Sequence, residues 1–89
     1  MSRYTIEYAV RAEKELRKVR DVRISRPIQA AIAALADDPR PVGVKKLVGP
    51  SGLWRIRVGD WRVVYRVEDG RLVVVVVALG GQGGVYGVV

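Results

Sequence analysis

Tyr4, Ile6 and Tyr8 recur at every second position in RYTIEYAV, the period of a strand with one buried face. From Ala9 the period lengthens. Ala9, Ala12, Leu16 and Val19 share one side of a helix predicted over about residues 9–20. Lys14, Arg17 and Lys18 lie off that apolar side, and the basic residues of the last turn suit the negative end of the helix dipole. A second helix follows with almost no linker. Ser25 is its predicted N-cap, and Pro27 falls in the first turn, where a missing amide costs least. Ile28, Ile32 and Leu35 form its buried stripe, with alanines filling the gaps. DDPRP ends it, because Pro39 and Pro41 both disfavour helix at the residue before them. Helices joined this tightly pack as an antiparallel hairpin.

Beyond VGVKKLVGPSG, read as a loop with two lysines, period two returns and stays. LWRIRV sets Trp54, Ile56 and Val58 against Leu53, Arg55 and Arg57. Gly59-Asp60 is a hairpin signal of the type II′ kind. WRVVYRV then sets Trp61, Val63, Tyr65 and Val67 against Arg62, Val64 and Arg66. EDG is the next turn, and RLVVVVVAL reads as a strand covered on both faces, hence a central one. The order predicts an α+β fold: an N-terminal strand, a helical hairpin, then a three-strand antiparallel meander, with the helices on one sheet face. Residues 1–89 read as one domain, without repeats or linker. Burying the tryptophans against the helices turns Arg55, Arg57, Arg62 and Arg66 to the opposite face, since a one-residue slip would bury four arginines. Leu53, Val64 and part of the valine run fall on that same face and are expected to be exposed there.

Composition narrows the chemistry. The chain has no cysteine and no histidine, which removes disulfides, thiolate metal sites and every nucleophile pair built on histidine. No metal or cofactor is expected. The longest apolar run, Leu72 to Leu79, is far short of the roughly 20 residues of a membrane span. MSRYTIEYAV is unlike a signal peptide, so a cytoplasmic location is expected. The net charge is +7, and its excess is uneven: from Val42 to Val67 there are six basic residues against one acid, Asp60. Such a concentration points to a polyanion, most simply nucleic acid, or else to a solvated basic face.

Four guanidinium groups on one sheet face suit phosphate, because the planar fork is charged at every relevant pH and binds two oxygens at once. Such a face can bind RNA or DNA. It can also stabilise the charge that gathers on non-bridging oxygens during phosphodiester cleavage. Arginine takes a proton poorly, so catalysis here rests on charge and orientation.

EYAVRAEKELRKV, DDPRPVGVKKLVGPSGLWRIRVGDWRVVYRVEDG and the terminal VY resemble the RelE/ParE superfamily of bacterial toxins from toxin–antitoxin pairs, most specifically in GLWRIRVGDWRVVY. The resemblance implies the fold just described. For RelE-type members it also implies ribosome-dependent cleavage of mRNA by attack of a ribose 2′-OH on the adjacent phosphate. Arg55 and Arg57 resemble two catalytic basic residues of the first meander strand, Arg62 the arginine that holds the scissile phosphate, and Tyr86 the tyrosine that orients the substrate base. Lys45 and Lys46 match a basic pair suited to rRNA phosphates, and Arg66 joins them as an RNA-binding residue. The tail departs from the family: GGQGGVY puts Gly81 where many relatives have histidine and Gln82 where they have the arginine expected to stabilise the leaving group. The implied partners are a cognate antitoxin, mRNA and the ribosome. Two other readings stand beside this one: a ParE-like inhibitor of DNA gyrase, and an inactive homologue that only binds antitoxin.

Overall fold

The structure, a computed structural model, describes residues 3–47, 49 and 52–81. The elements are β1 (Thr5–Tyr8), α1 (Val10–Lys18), α2 (Val22–Ala34), β2 (Lys45–Lys46), β3 (Leu53–Val58), β4 (Trp61–Glu68) and β5 (Val73–Gly80). They form one five-stranded sheet in the order β1-β5-β4-β3-β2. Strand β1 runs parallel to β5, and every other pairing is antiparallel. The helices cover one face: α1 packs on β1 and β5, and α2 on β3. This is the α+β arrangement that the periodicity predicts. The valine-rich strand β5 lies inside the sheet, as its unbroken apolar run requires.

Three local expectations are corrected. Helix α2 begins three residues before Ser25, with Asp21 as N-cap. The Asp21 carboxylate accepts from the Arg23 amide at 2.9 Å and from the Arg23 guanidinium at 3.2 and 3.0 Å. These bonds hold its pKa below the ordinary value, the guanidinium contributing most. Ser25 is buried instead, and Pro27 lies inside the helix rather than in its first turn. The second correction concerns VGVKKLVGPSG, where Lys45 and Lys46 pair with Arg55 and Trp54 as a short edge strand. The third concerns Leu53 and Val64. Both are buried, at 6% and 0% exposure, in a small cluster with Ala78 against which Leu47 and Val77 pack, and Val73 and Val75 of the valine run on that face are buried too.

The β3–β4 turn has the backbone that Gly-Asp favours. Gly59 sits at φ +62°, while Asp60 is not among the residues with positive φ, the sign pattern of a type II′ turn. Strand β5 holds a feature that its uniform sequence hides. Val64 pairs with Ala78, but the next residue, Tyr65, pairs with Val76, so Val77 is an extra residue in a β-bulge. The bulge resets the alternation. Val74, Val76 and Leu79 all reach the helix-side core, together with Ala12, Ile28, Ile32, Leu35, Ile56, Val63 and Tyr65.

Two polar anchors join the connections to this core. The Tyr65 hydroxyl donates to the Pro39 carbonyl at 2.7 Å in a buried bond between β4 and the segment after α2. Asp69, in the β4–β5 turn, accepts two bonds from the Arg40 guanidinium, at 3.2 and 2.8 Å, and one from the Tyr4 hydroxyl at 2.8 Å. Arg40 also stacks over Trp54, 5.2 Å from the ring centroid. One turn thereby holds the chain before β1 and the chain after α2.

Replacing Tyr65 by Phe leaves the Pro39 carbonyl buried without its donor. It is expected to cost about 1–3 kcal/mol in urea unfolding. Burial also raises the Tyr65 pKa from 10.0 to about 12. The unfolded chain therefore releases this proton first, and the stability it carries is full below pH 10 and lost as pH rises towards 12. Tyr65→Phe should remove that part of the alkaline decline; a variant as stable as the parent, with the same alkaline limb, would show that the bond contributes nothing.

Asp69 provides the acid counterpart. Its pKa is lowered from 3.8 to about 2, first by the Arg40 bonds and then by Tyr4. A depressed carboxylate contributes stability above its unfolded pKa and loses it as pH falls to the folded value. Melting temperature should therefore fall between about pH 4 and pH 2, and Asp69→Asn should flatten that segment of the profile.

Candidate functional site

The face away from the helices is built by register. Cross-strand partners share a face, so one row across the sheet reads Lys45, Arg55, Val64, Ala78. The next row reads Arg57, Arg62, Gly80. The row on the other side reads Leu53, Arg66, Val75, Glu7. Lys45, Arg55, Arg57 and Arg62 thus form one cluster over the β2–β3–β4 part of the sheet, with the buried Val64 and Ala78 as its floor. Arg57 is exposed, while Arg55 and Arg62 are half-buried.

Arg57 and Arg62 stand directly opposite each other on adjacent strands. Like charges directly opposite each other are by themselves unfavourable. Among the described residues no ion pair involves Lys45, Arg55 or Arg57. The acids are used elsewhere: Glu13 pairs with Arg17, Glu15 with Arg11, Asp21 with Arg23, Asp69 with Arg40, and Glu68 with both Arg66 and Arg71. A tetrahedral anion seated over the Arg57–Arg62 pair would meet forked donors from two strands.

The sequence-predicted residues divide. The structure brings Arg55, Arg57, Arg62 and Lys45 together. Lys46 is separated from them, because its partner is Trp54 and its ammonium lies over that ring, 5.9 Å from the centroid, on the opposite face. Arg66 shares the cationic face but is bound to Glu68 at 3.2 Å. Glu68 accepts from Arg71 at 2.7 Å as well, and these two arginines hold its pKa below the ordinary value. Gly81 follows directly after β5, whose last residue, Gly80, lies beside Arg62. Gln82 and Tyr86 lie outside the described residues. Glu15 escaped the sequence reading: its carboxylate accepts from the Leu79 amide at 3.0 Å, a contact between residues too distant in the chain for any spacing rule to find. Among the described residues no group of three or more acids, histidines or cysteines is arranged to hold a metal, and no helix is long and apolar enough to cross a membrane.

The chain matches the family model described as the ParE toxin of type II toxin–antitoxin systems over residues 6–86. No curated protein matches it. Solved structures do. The RelBE2 toxin–antitoxin complex from Mycobacterium tuberculosis contains a chain 25% identical, with a TM-score of 0.77, covering 89% of this chain and 98% of that one. The RelE–RelB complex of Pyrococcus horikoshii gives 26% identity, a TM-score of 0.77 and coverage of 92% and 98%. The isolated RelE toxin of E. coli gives 27% identity, a TM-score of 0.77 and coverage of 94% and 92%. This last match is to a toxin alone, so the shared fold is the toxin's own.

Glu68 is the acid nearest to competing for the cationic face. Glu68→Gln should free Arg66 for a bound polyanion. Affinity for a single-stranded oligonucleotide should rise, and the log–log salt slope should steepen by up to about 0.7 for one added phosphate contact. Fluorescence anisotropy across a salt series measures both, and an unchanged slope would place Arg66 outside the footprint.

Proposed function

The chain belongs to the ParE toxin family of type II toxin–antitoxin systems, and on that premise we propose that this toxin is a ribosome-dependent endoribonuclease acting on translated mRNA. The observation that carries the reading is the juxtaposition of Arg57 and Arg62, flanked by Arg55 and Lys45 on one sheet face. In this reading the ribose 2′-oxygen attacks the adjacent phosphorus. A 2′,3′-cyclic phosphate forms, the 5′-oxygen of the next nucleotide leaves, and solvent takes up the 2′-proton and protonates the leaving oxygen. Arg62 grips the scissile phosphate, while Arg55 and Arg57 neutralise charge on its non-bridging oxygens. Oriented cations of this kind, aimed at developing charge, are worth several kcal/mol. Histidine is absent from the chain, so the site supplies charge and alignment, with the ribosome as a further source of orientation. Tyr86 stacks on a substrate base, and Lys45 contacts rRNA phosphate.

Gly81 and Gln82 limit the rate in this reading. A glutamine cannot bring a positive charge to the leaving oxygen. A cognate antitoxin completes the proposal as a partner; the complexes of the M. tuberculosis and P. horikoshii relatives support such a partner.

A second reading has its own support, because the matching family model is described by ParE. There the same chain inhibits DNA gyrase without cutting RNA. A homologue that only binds antitoxin is the third reading, and the neutral tail is what favours it.

Primer extension on programmed ribosomes separates them. The parent is expected to cut mRNA. Arg62→Ala should slow cleavage by about 10²–10³-fold, the usual effect of removing one transition-state donor. Gln82→Arg should speed cleavage, and Gly81→His added to it should speed it further. If the parent and the restored tail both fail to cut, while induction arrests replication with gyrase-dependent DNA breaks, the gyrase reading replaces this one. If neither translation nor replication stops, the antitoxin-only reading stands.

A further inference from the structure

We infer that Glu15 is a positioning residue: from the helical side of the sheet, its carboxylate holds the end of β5 that lies beside Arg62. The activity arm of this inference rests on the nuclease reading above; the structural arm does not.

The starting point is a missing neighbour. Strand β1 pairs with β5 only from Val73 to Val76. The Ala9 amide then donates to the Val76 carbonyl at 2.9 Å, and the chain turns away into α1. Past that point, and past the bulge at Val77, β5 has β4 on one side and, among the described residues, no strand on the other. The Leu79 amide points to that open side. A buried amide without an acceptor is costly, and Leu79 is 1% exposed.

Glu15 fills the position. One carboxylate oxygen, Oε1, accepts from the Leu79 amide at 3.0 Å. The other, Oε2, is held by Arg11 Nε at 3.4 Å, one helical turn earlier. A side chain of α1 thus does for Leu79 what β1 does for the residues before the bulge. Leu79 pairs with Val63 and Gly80 with Arg62, so the anchored peptide lies one residue from the partner of the central arginine. Gly80 also passes the chain to Gly81, the first of the altered tail positions.

The surroundings make the effect local. Glu15, Val19, Ile24, Trp61, Leu79 and Gly80 line a cleft of about 420 Å³ that opens to solvent. If the carboxylate is removed, water can enter and take the amide. The core survives, while the end of β5 frays and the backbone beside Arg62 loses its fixed place. A shift of about 1 Å at a catalytic group can cost on the order of 10²-fold in rate.

The test compares Glu15→Ala with Glu15→Gln, whose carbonyl oxygen keeps an acceptor for the Leu79 amide. In Glu15→Ala the Leu79 amide should exchange with solvent at least about 10-fold faster, the scale of one lost hydrogen bond. The amides of Val74 and Val76 should keep their protection, and the Arg62 side-chain Nε–H resonance should move. Ribosome-dependent cleavage should lose about 10²-fold in kcat with KM nearly unchanged. Glu15→Gln should restore the exchange rate, the resonance and most of kcat. The inference is overturned if Leu79 stays as protected in Glu15→Ala as in the parent, if protection is lost evenly across β5, or if Glu15→Gln behaves like Glu15→Ala. A parent that does not cut mRNA removes the nuclease reading alone, because amide exchange and the Arg62 resonance still decide the role of Glu15.

Discussion

Val77 is one residue more than the ladder between β4 and β5 requires, and both faces of the sheet depend on it. Before the bulge, Val74 and Val76 face the helices; after it, Leu79 does, while Ala78 and Gly80 turn to the cationic face. Were Val77 paired regularly instead of bulged, the strand end would place Ala78 and Gly80 in the core and Leu79 among the arginines. Ala78 then follows Arg55 and Val64 in one row, and Gly80 stands directly beside Arg62 in the next. The same shift sends the Leu79 amide towards α1, where only a side chain can meet it. Core packing, the floor of the cationic surface and the link to Glu15 are three results of one backbone irregularity.

The charge distribution follows a similar division of labour. Carboxylates are spent on the helices and the turns: an N-cap at Asp21, the junction at Asp69, and pairs along α1. Most of these pairs are exposed and individually weak, on the order of 1 kcal/mol or less. Their arrangement matters more than their strength, because each keeps a negative charge away from β3 and the start of β4. The single acid between Val42 and Val67, Asp60, lies in the β3–β4 turn. A field of one sign therefore builds over Lys45, Arg55, Arg57 and Arg62, where focusing attracts polyanions.

How much of this was readable in the sequence depended on whether polar residues marked a face. In β3 and β4 they did. Arg55, Arg57, Arg62 and Arg66 alternate with Trp54, Ile56, Trp61, Val63 and Tyr65, and the register that joins them is the one alternation predicts. In β5 the apolar run has no polar residue to mark the face, so the bulge left no trace. The start of α2 departs from the predicted Ser25 cap for another reason. Asp21 and Ser25 are both good caps, and the choice fell to the one whose carboxylate also meets the Arg23 side chain. Two adjacent lysines carry no strand signal, and β2 exists because β3 offers an edge to Arg55 and Trp54. Leu53 and Val64 followed the alternation but not its usual meaning, since the cationic face carries a small apolar cluster of its own. The gathering of Arg55, Arg57, Arg62 and Arg66 on one face was legible, whereas the addition of Lys45 and the separation of Lys46 from it needed the pairing partners.

The parallel pairing of Thr5–Tyr8 with Val73–Val76 has a consequence in time. Ribosomes extend chains at about 5–20 residues per second, and segments fold as their partners emerge. The helical hairpin and the β3–β4 hairpin hold local contacts and can form early. The first strand made must wait for the last one, and pairings so distant in sequence are slow to close. The central arginine row is likewise incomplete until Gly80 arrives beside Arg62. A nascent chain therefore carries the Arg57–Arg62 pair on an early hairpin, while the sheet that fixes it closes only when β5 has been made.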